Sequence, residues 1–236
     1  MRFHIITMGR SGNHPIVYWL AKQFLGEVKC LFCVSYPQKY KTLPECCAVR
    51  LSSTSGPHYC FMATFEDKRF GQVYHLDKEY SPIQIVIVRD IYNLGASRIC
   101  GDWKSHKTKR NMKDFDRTKK IWLEHANFAL KYPNQSILFN KWFTDKQYRK
   151  SILKRWKPYF KFTDKGLNTV TSEGRYSSFD RDAYQGQAQK MKVLKRYTNN
   201  KARKTELMQN ILKDQDLAQT NLALFGWNPF TINNIS

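Results

Sequence analysis

Apolar runs bounded by glycine or polar residues predict the strands of this chain. Residues 3–8 form one such run, which ends at Gly9, and residues 83–88 are nearly all β-branched. Continuous runs of this kind are typical of strands that are buried on both faces of a parallel sheet. Residues 59–64 and 136–139 predict two further strands.

Apolar residues at helical spacing lie between and after these strands. They predict helices over residues 15–25, 117–131, 145–157 and 204–224. The last of these ends before Gly226, a residue type that commonly terminates helices. Strands that alternate with helices favour a parallel sheet covered on both faces. We therefore expect one α/β domain over residues 1–236, a three-layer sandwich with a mainly parallel central sheet.

The chain is strongly basic, with a formal net charge of +21 over 236 residues. Residues 1–80 carry 10 Lys and Arg against 6 Asp and Glu, whereas residues 81–236 carry 30 against 13. The densest basic runs are residues 104–120 and 190–204. Such charge attracts polyanions, namely a nucleotide donor, an acidic acceptor or nucleic acid, but it also fits a solvated basic face.

The cellular location of the protein and the redox state of its cysteines can be inferred from the lack of membrane and secretion signals. No apolar run is long enough to cross a bilayer, and no signal peptide is evident, so we expect a cytoplasmic protein with reduced thiols. Cys30 and Cys33, followed by Cys46 and Cys47, fit a tetrahedral zinc site poorly because adjacent cysteines rarely bind the same ion. No metal is expected.

The segment between the first strand and the first helix has the features of a phosphate-binding, P-loop-like turn. It reads Met8-Gly9-Arg10-Ser11-Gly12-Asn13-His14-Pro15. Glycines let the backbone approach an anion, and the following helix supplies free N–H groups and a positive dipole end. Arg10 adds a planar cation suited to phosphate oxygens. The Lys-Ser/Thr of a Walker A loop is missing, which disfavours ATP or GTP chemistry.

A second candidate anion site follows the strand over residues 83–88. Arg89 stands at its carboxyl end, where open α/β sheets bind ligands, and Ser97 comes eight residues later in a predicted helix. The Ser97 hydroxyl is therefore expected to meet the same anion as Arg89. The structural alternative makes Arg89 and Asp90 an ion pair and Ser97 a packing residue.

Together these two segments resemble the PAPS-dependent sulfotransferase family. Its members bind the donor's 5′-phosphosulfate with a Lys/Arg-Ser-Gly-x-Thr loop, and its 3′-phosphate with an arginine followed eight residues later by a serine. Residues 10–13 match the first motif, and Arg89 with Ser97 matches the second. The resemblance continues more weakly through Trp122, residues 139–143 and the basic, glycine-containing residues 174–179.

The resemblance implies PAPS as the donor, PAP as the product and no metal. It implies that the donor is bound by Gly9, Arg10, Ser11, Gly12, Asn13, His14, Arg89, Ser97 and Arg175. Most members have Thr or Ser where His14 stands, although a histidine can still donate one hydrogen bond there. This departure leaves open both a working enzyme and a nucleotide-binding relative without activity.

Sulfuryl transfer needs a cation for the leaving group and a base for the acceptor. Arg10 is the expected stabiliser of the leaving diphosphate. Family members usually take the acceptor's proton with a His or Glu near the end of a following strand, which points here to Glu66, with Asp67 and His14 as alternatives. A polar exit from the strand is the competing interpretation of Glu66 and Asp67.

The acceptor is expected to carry a hydroxyl or an amine, with a carbohydrate or a small molecule favoured. Two other classes remain as alternatives. One is a nucleotide or small-molecule kinase of the P-loop class. The other is a non-enzymatic protein that binds polyanions or nucleic acid, which the charge favours but no recognised nucleic-acid-binding motif supports.

Overall fold

A six-stranded sheet forms the centre of the computed structural model, which describes residues 1–32, 49–53, 58–69, 72–73, 82–100, 114–168, 184 and 186–230. The strands are β1 (Arg2–Thr7), β2 (Gly26–Leu31), β3 (Val49–Ser53), β4 (His58–Glu66), β5 (Ile83–Val88) and β6 (Ser136–Leu138). Their order across the sheet is β3-β2-β4-β1-β5-β6. β3 pairs antiparallel with β2 at one edge, and the other pairings are parallel. The mainly parallel sheet is thus confirmed.

Eight α-helices belong to the described residues. They are α1 (Asn13–Gln23), α2 (Ile91–Ile99), α3 (Phe115–Lys131), α4 (Phe139–Thr144), α5 (Lys146–Lys154), α6 (Asn200–Arg203), α7 (Glu206–Lys213) and α8 (Gln215–Phe225). Several begin at an aspartate whose carboxylate accepts a backbone N–H of the first turn, as Asp90, Asp114 and Asp145 do. None of the described helices has both the length and the hydrophobicity of a membrane span.

Helices cover both faces of the sheet, which completes the expected three layers. One apolar core joins alternate residues of β1 and β5 to α1, α4 and α5, with Trp19 and Trp142 among its largest members. The other core joins the intervening strand residues to α2, α3, α7 and α8, with Trp122 and Met208 among its members. Alternation along each strand places successive side chains in opposite cores.

The neighbouring strands β1 and β5 lead to opposite faces. They are parallel neighbours, from Phe3 opposite Ile83 to Thr7 opposite Ile87. β1 continues into α1 on one face, whereas β5 continues into α2 on the other. In open α/β sheets such a divergence opens a crevice at the carboxyl ends of the strands, where ligands bind.

The structure differs from the sequence-based prediction in the number of elements. β2 and β3 were not predicted. In β2 the charged Glu27 and Lys29 interrupt the apolar pattern, and in β3 the polar Arg50, Ser52 and Ser53 do so. The prediction of one helix over residues 204–224 was wrong. The chain breaks at Asp214, whose carboxylate accepts the N–H of Leu217 and so begins a separate helix, α8.

Candidate functional site

The loop between β1 and α1 turns tightly at two residues with positive φ. Arg10 has φ 77° and Gly12 has φ 88°, which is the left-handed region. The Ser11 hydroxyl donates to the Met8 carbonyl at 2.7 Å, and the Ser11 N–H donates to the same oxygen at 3.0 Å. A further hydroxyl contact joins Ser11 to Thr7. The loop is therefore held in part by the hydrogen bonds of its own buried serine.

Gly12 lies directly against an aromatic ring. A Cβ at this position would be 2.2 Å from two carbon atoms of the Phe139 ring, so only glycine fits without displacement. The same ring lies 5.0 Å from the guanidinium carbon of Arg89. Phe139, the first residue of α4, therefore supports both the loop after β1 and the arginine after β5.

Two buried guanidinium groups converge on one hydroxyl. Arg89 donates through one NH1 proton to Ser97 Oγ at 3.1 Å, and Arg196 donates from NH1 to the same oxygen at 2.9 Å. Arg89 is 2% exposed, Ser97 1% and Arg196 9%. Like charges brought this close in a poorly solvated place repel each other, and an anion bound between them would relieve that repulsion.

Arg89 also connects the two predicted phosphate segments directly. Its NH1 donates to the carbonyl of Arg10 at 3.0 Å, and its NH2 donates to the carbonyl of Val193. The indole N–H of Trp122 donates to the carbonyl of Arg89 at 2.9 Å and so fixes its backbone. The loop after β1, the end of β5 and the segment before Arg196 thus meet at one side chain.

Asp90 is the N-cap residue of α2. Its carboxylate accepts from the N–H and the side-chain amide of Asn93, at 2.9 and 3.0 Å, and from the amide of Asn140 at 2.9 Å. Burial raises the pKa of Asp90, while the charge of Arg89 and these hydrogen bonds act in the opposite direction. Asp90 therefore caps the helix that carries Ser97.

Glu66 and His14 lie on the β4 side of the loop. The Asn13 amide donates to Glu66 Oε1 at 2.7 Å, so the first residue of α1 orients the carboxylate that ends β4. Burial lowers the pKa of His14, the negative charge of Glu66 raises it, and the positive charge of Arg10 lowers it. The net pKa is below the usual 6.5, so the imidazole is neutral at pH 7 and can donate or accept a hydrogen bond.

Asp67 has a different environment from its neighbour Glu66. Asp67 Oδ1 accepts from NH1 of Arg98 at 2.7 Å and from the N–H of Gly9 at 3.3 Å. Its own N–H donates to the carbonyl of Thr7 at 2.9 Å. Asp67 therefore contacts Arg98 and the loop after β1, whereas Glu66 contacts the first residue of α1.

The remaining sequence-based candidates fall elsewhere. Arg175, with the whole of residues 174–179, lies outside the described residues, as do residues 104–113 of the first basic run. Cys33, Cys46 and Cys47 also lie outside them, and the described part holds no group of three or more metal-ligating side chains.

Arg196 is one residue that sequence reasoning missed. It belongs to the basic run over residues 190–204, which was identified only as charge. Its partner Ser97 is 99 residues away along the chain.

Comparison of the chain with protein-family models, curated proteins and solved structures finds no match.

Proposed function

We propose that this protein is a sulfotransferase that moves a sulfuryl group from PAPS to a hydroxyl or an amine. One observation carries the proposal. The hydrogen bond from Arg89 to the carbonyl of Arg10 joins the loop after β1 to the arginine–serine pair after β5, at the carboxyl ends of neighbouring strands. Two separate anion sites at neighbouring strand ends suit a donor with phosphate groups at both its 3′ and its 5′ position.

The donor's two ends are assigned by the chemistry of each site. The 5′-phosphosulfate belongs at the start of α1, where backbone N–H groups and the helix dipole favour an anion and Arg10 adds a charge. The 3′-phosphate belongs beside Ser97, between Arg89 and Arg196. An arginine fork matches phosphate oxygens in geometry as well as charge.

The reaction is an in-line displacement at sulfur. The acceptor oxygen or nitrogen bonds to sulfur, the bond from sulfur to the bridging oxygen breaks, and PAP leaves with the electron pair. Arg10 stabilises the negative charge that grows on that oxygen. Glu66, oriented by Asn13, takes the acceptor's proton. The neutral His14 supplies a hydrogen bond where the sulfotransferase motif has the hydroxyl of Thr or Ser.

A polyanion-binding role is the second candidate, and the net charge of +21 is the observation that favours it. A kinase is less favoured because the loop after β1 lacks the Walker lysine. The acceptor's class is left to a screen of carbohydrates, small metabolites and acidic polymers with radiolabelled PAPS.

Nucleotide binding is the direct test. Melting temperature and calorimetry are measured with 3′,5′-ADP and with ADP, which lacks the 3′-phosphate. A ligand that binds the native state raises the melting temperature by mass action, so 3′,5′-ADP should give the larger shift. Arg89→Ala should abolish the difference between the two nucleotides.

The matched control is Arg155→Ala. Arg155 also donates to two carbonyls, those of Asn134 and Ser136, but away from the crevice. It should keep the preference for 3′,5′-ADP. Equal shifts with both nucleotides in the wild type would contradict the proposed 3′-phosphate site. A salt-dependent duplex complex that 3′,5′-ADP does not displace would favour the polyanion-binding role instead.

A further inference from the structure

A buried ion pair contacts the loop after β1 (residues 8–12), the proposed phosphate loop, and lies outside the set of residues assigned to the donor. Arg98 and Asp67 are 2.7 Å apart, and their side chains are 1% and 15% exposed. An ion pair this secluded is costly to desolvate and contributes little to net stability. Its presence here therefore calls for an explanation other than stability.

The pair holds the loop from below at a single residue. Asp67 Oδ1 accepts the N–H of Gly9 at 3.3 Å, and Arg98 NH1 approaches the carbonyl of Gly9 at 3.5 Å. Both polar groups of the Gly9 backbone thus face the pair. Asp67 itself adopts φ 53°, a left-handed conformation that costs energy for a residue with a side chain.

Helix α2 joins this contact to the 3′-phosphate site. Ser97, which both Arg89 and Arg196 contact, directly precedes Arg98 in the helix. Consecutive residues of one helix therefore contact the Arg89–Arg196 cluster and the loop after β1. Because secondary elements can carry coupling between sites, a displacement of α2 at one of these contacts would be felt at the other.

We propose that Asp67 and Arg98 are positioning residues, which hold the phosphate loop in the conformation that binds the donor and couple it through α2 to the 3′-phosphate site. The proposal rests on the proposed function for the identity of the ligand. It gives Asp67 a role other than general base: it acts through Gly9 and touches no reacting atom. The contact orders the loop before the ligand arrives, which improves affinity because less entropy is lost on binding.

The chain contains a matched control pair. Arg149 and Asp164 are 2.8 Å apart, with side chains 5% and 20% exposed, and Asp164 also has a positive φ, of 57°. The indole N–H of Trp19, a residue of the other core, donates to Asp164. The hydrogen bonds of the Asp164 carboxylate go to Trp19 and Arg149, and none of them involves the phosphate loop. Asp67→Asn and Asp164→Asn therefore make the same chemical change in closely similar settings, and asparagine tolerates positive φ.

The experiment measures hydrogen exchange and 3′,5′-ADP affinity in the full chain. Asp67→Asn and the second variant Arg98→Lys should each speed amide exchange across residues 9–13 while the strands keep their protection. They should weaken 3′,5′-ADP binding by about 10-fold or more, the worth of a charged hydrogen bond. Asp164→Asn should lower the melting temperature without changing either readout.

The outcomes separate this proposal from the proposed function. If the wild type binds no 3′,5′-ADP, the proposed function fails, and the exchange comparison still decides the positioning role. Wild-type exchange rates at residues 9–13 in folded Asp67→Asn and Arg98→Lys would overturn the positioning role. So would a loss of affinity in Asp164→Asn as large as that in Asp67→Asn, because the effect would then be general destabilisation.

Discussion

Replacing Gly12 by alanine tests the geometry of the phosphate loop most sharply. The change adds one methyl group at a residue with φ 88° and directs it at the Phe139 ring, 2.2 Å from two ring carbons. The perturbation therefore has two physical parts. One is the conformational cost of a side chain in the left-handed region, and the other is a steric overlap with a buried ring.

The two parts have separable magnitudes. A left-handed conformation costs a non-glycine residue about 1–2 kcal/mol. Overpacking in a close-packed region costs about 1–3 kcal/mol when the ring must shift. Together they predict that Gly12→Ala lowers the free energy of unfolding by about 2–5 kcal/mol. For a chain of this size that corresponds to a fall in melting temperature of roughly 4–20 °C.

A double-mutant cycle with Phe139→Ala isolates the steric part. Alanine removes the ring atoms that the new methyl group would meet, including Cγ and Cδ2, which leucine would keep. Gly12→Ala should therefore cost only the conformational part, about 1–2 kcal/mol, in the Phe139→Ala background. Because the ring also lies against Arg89, Gly12→Ala in the wild-type background should weaken 3′,5′-ADP binding as well.

Chemical denaturation of the four proteins provides the measurement. An unchanged unfolding midpoint in Gly12→Ala would refute the loop geometry. An equal cost in both backgrounds would refute the contact with Phe139 while leaving the positive φ of Gly12 intact. A glycine outside the crevice serves as the control: a Cβ at Gly226, with φ 73°, meets nothing within 4 Å, so Gly226→Ala should show the conformational cost alone.

Three further predictions concern single side chains. Glu66→Gln keeps the shape of the proposed base but cannot accept the proton, so turnover should fall by about 10²–10⁴-fold with donor affinity nearly unchanged, and full turnover would exclude Glu66 as the base. Burial lowers the pKa of His125, so the folded state should lose stability as the pH falls below about 6.5, by up to about 1.4 kcal/mol per pH unit. In urea titrations, the stability of His125→Gln should depend less on pH than that of the wild type, and an equal slope would contradict this prediction. Burial raises the pKa of Cys60 to about 12, so the thiol should resist alkylation at pH 8 until the protein unfolds, which mass spectrometry would detect.

The layout of the fold could be predicted where the apolar pattern is continuous. Residues 83–88 read as a buried parallel strand because almost every side chain there enters one of the two cores, and the structure has β5 over the same residues. β2 escaped prediction because Glu27 and Lys29 are only partly buried and make a short strand look polar. The break at Asp214 is a local capping effect inside a longer helical pattern, which periodicity alone does not resolve.

The candidate site was accessible from sequence only in its local parts. The loop at Gly9 and the spacing of Arg89 to Ser97 can be recognised within a few residues, and the structure brings the two segments together. The roles of Asp67 and Arg196 could not be recognised, because their partners Arg98 and Ser97 are 31 and 99 residues distant. Such contacts depend on the tertiary fold, which short motifs do not encode.

The central place of β1 also determines when the site can form during synthesis. The first strand along the chain stays without its sheet neighbours until β4 and β5 have been made. The contacts of Arg89 with Val193 and of Ser97 with Arg196 close loops of about a hundred residues, so they come later still. Long loop closures of this kind are slow. A growing chain consequently lacks the complete candidate site, and a ligand that needs both of its halves would stabilise only chains whose folding is already complete.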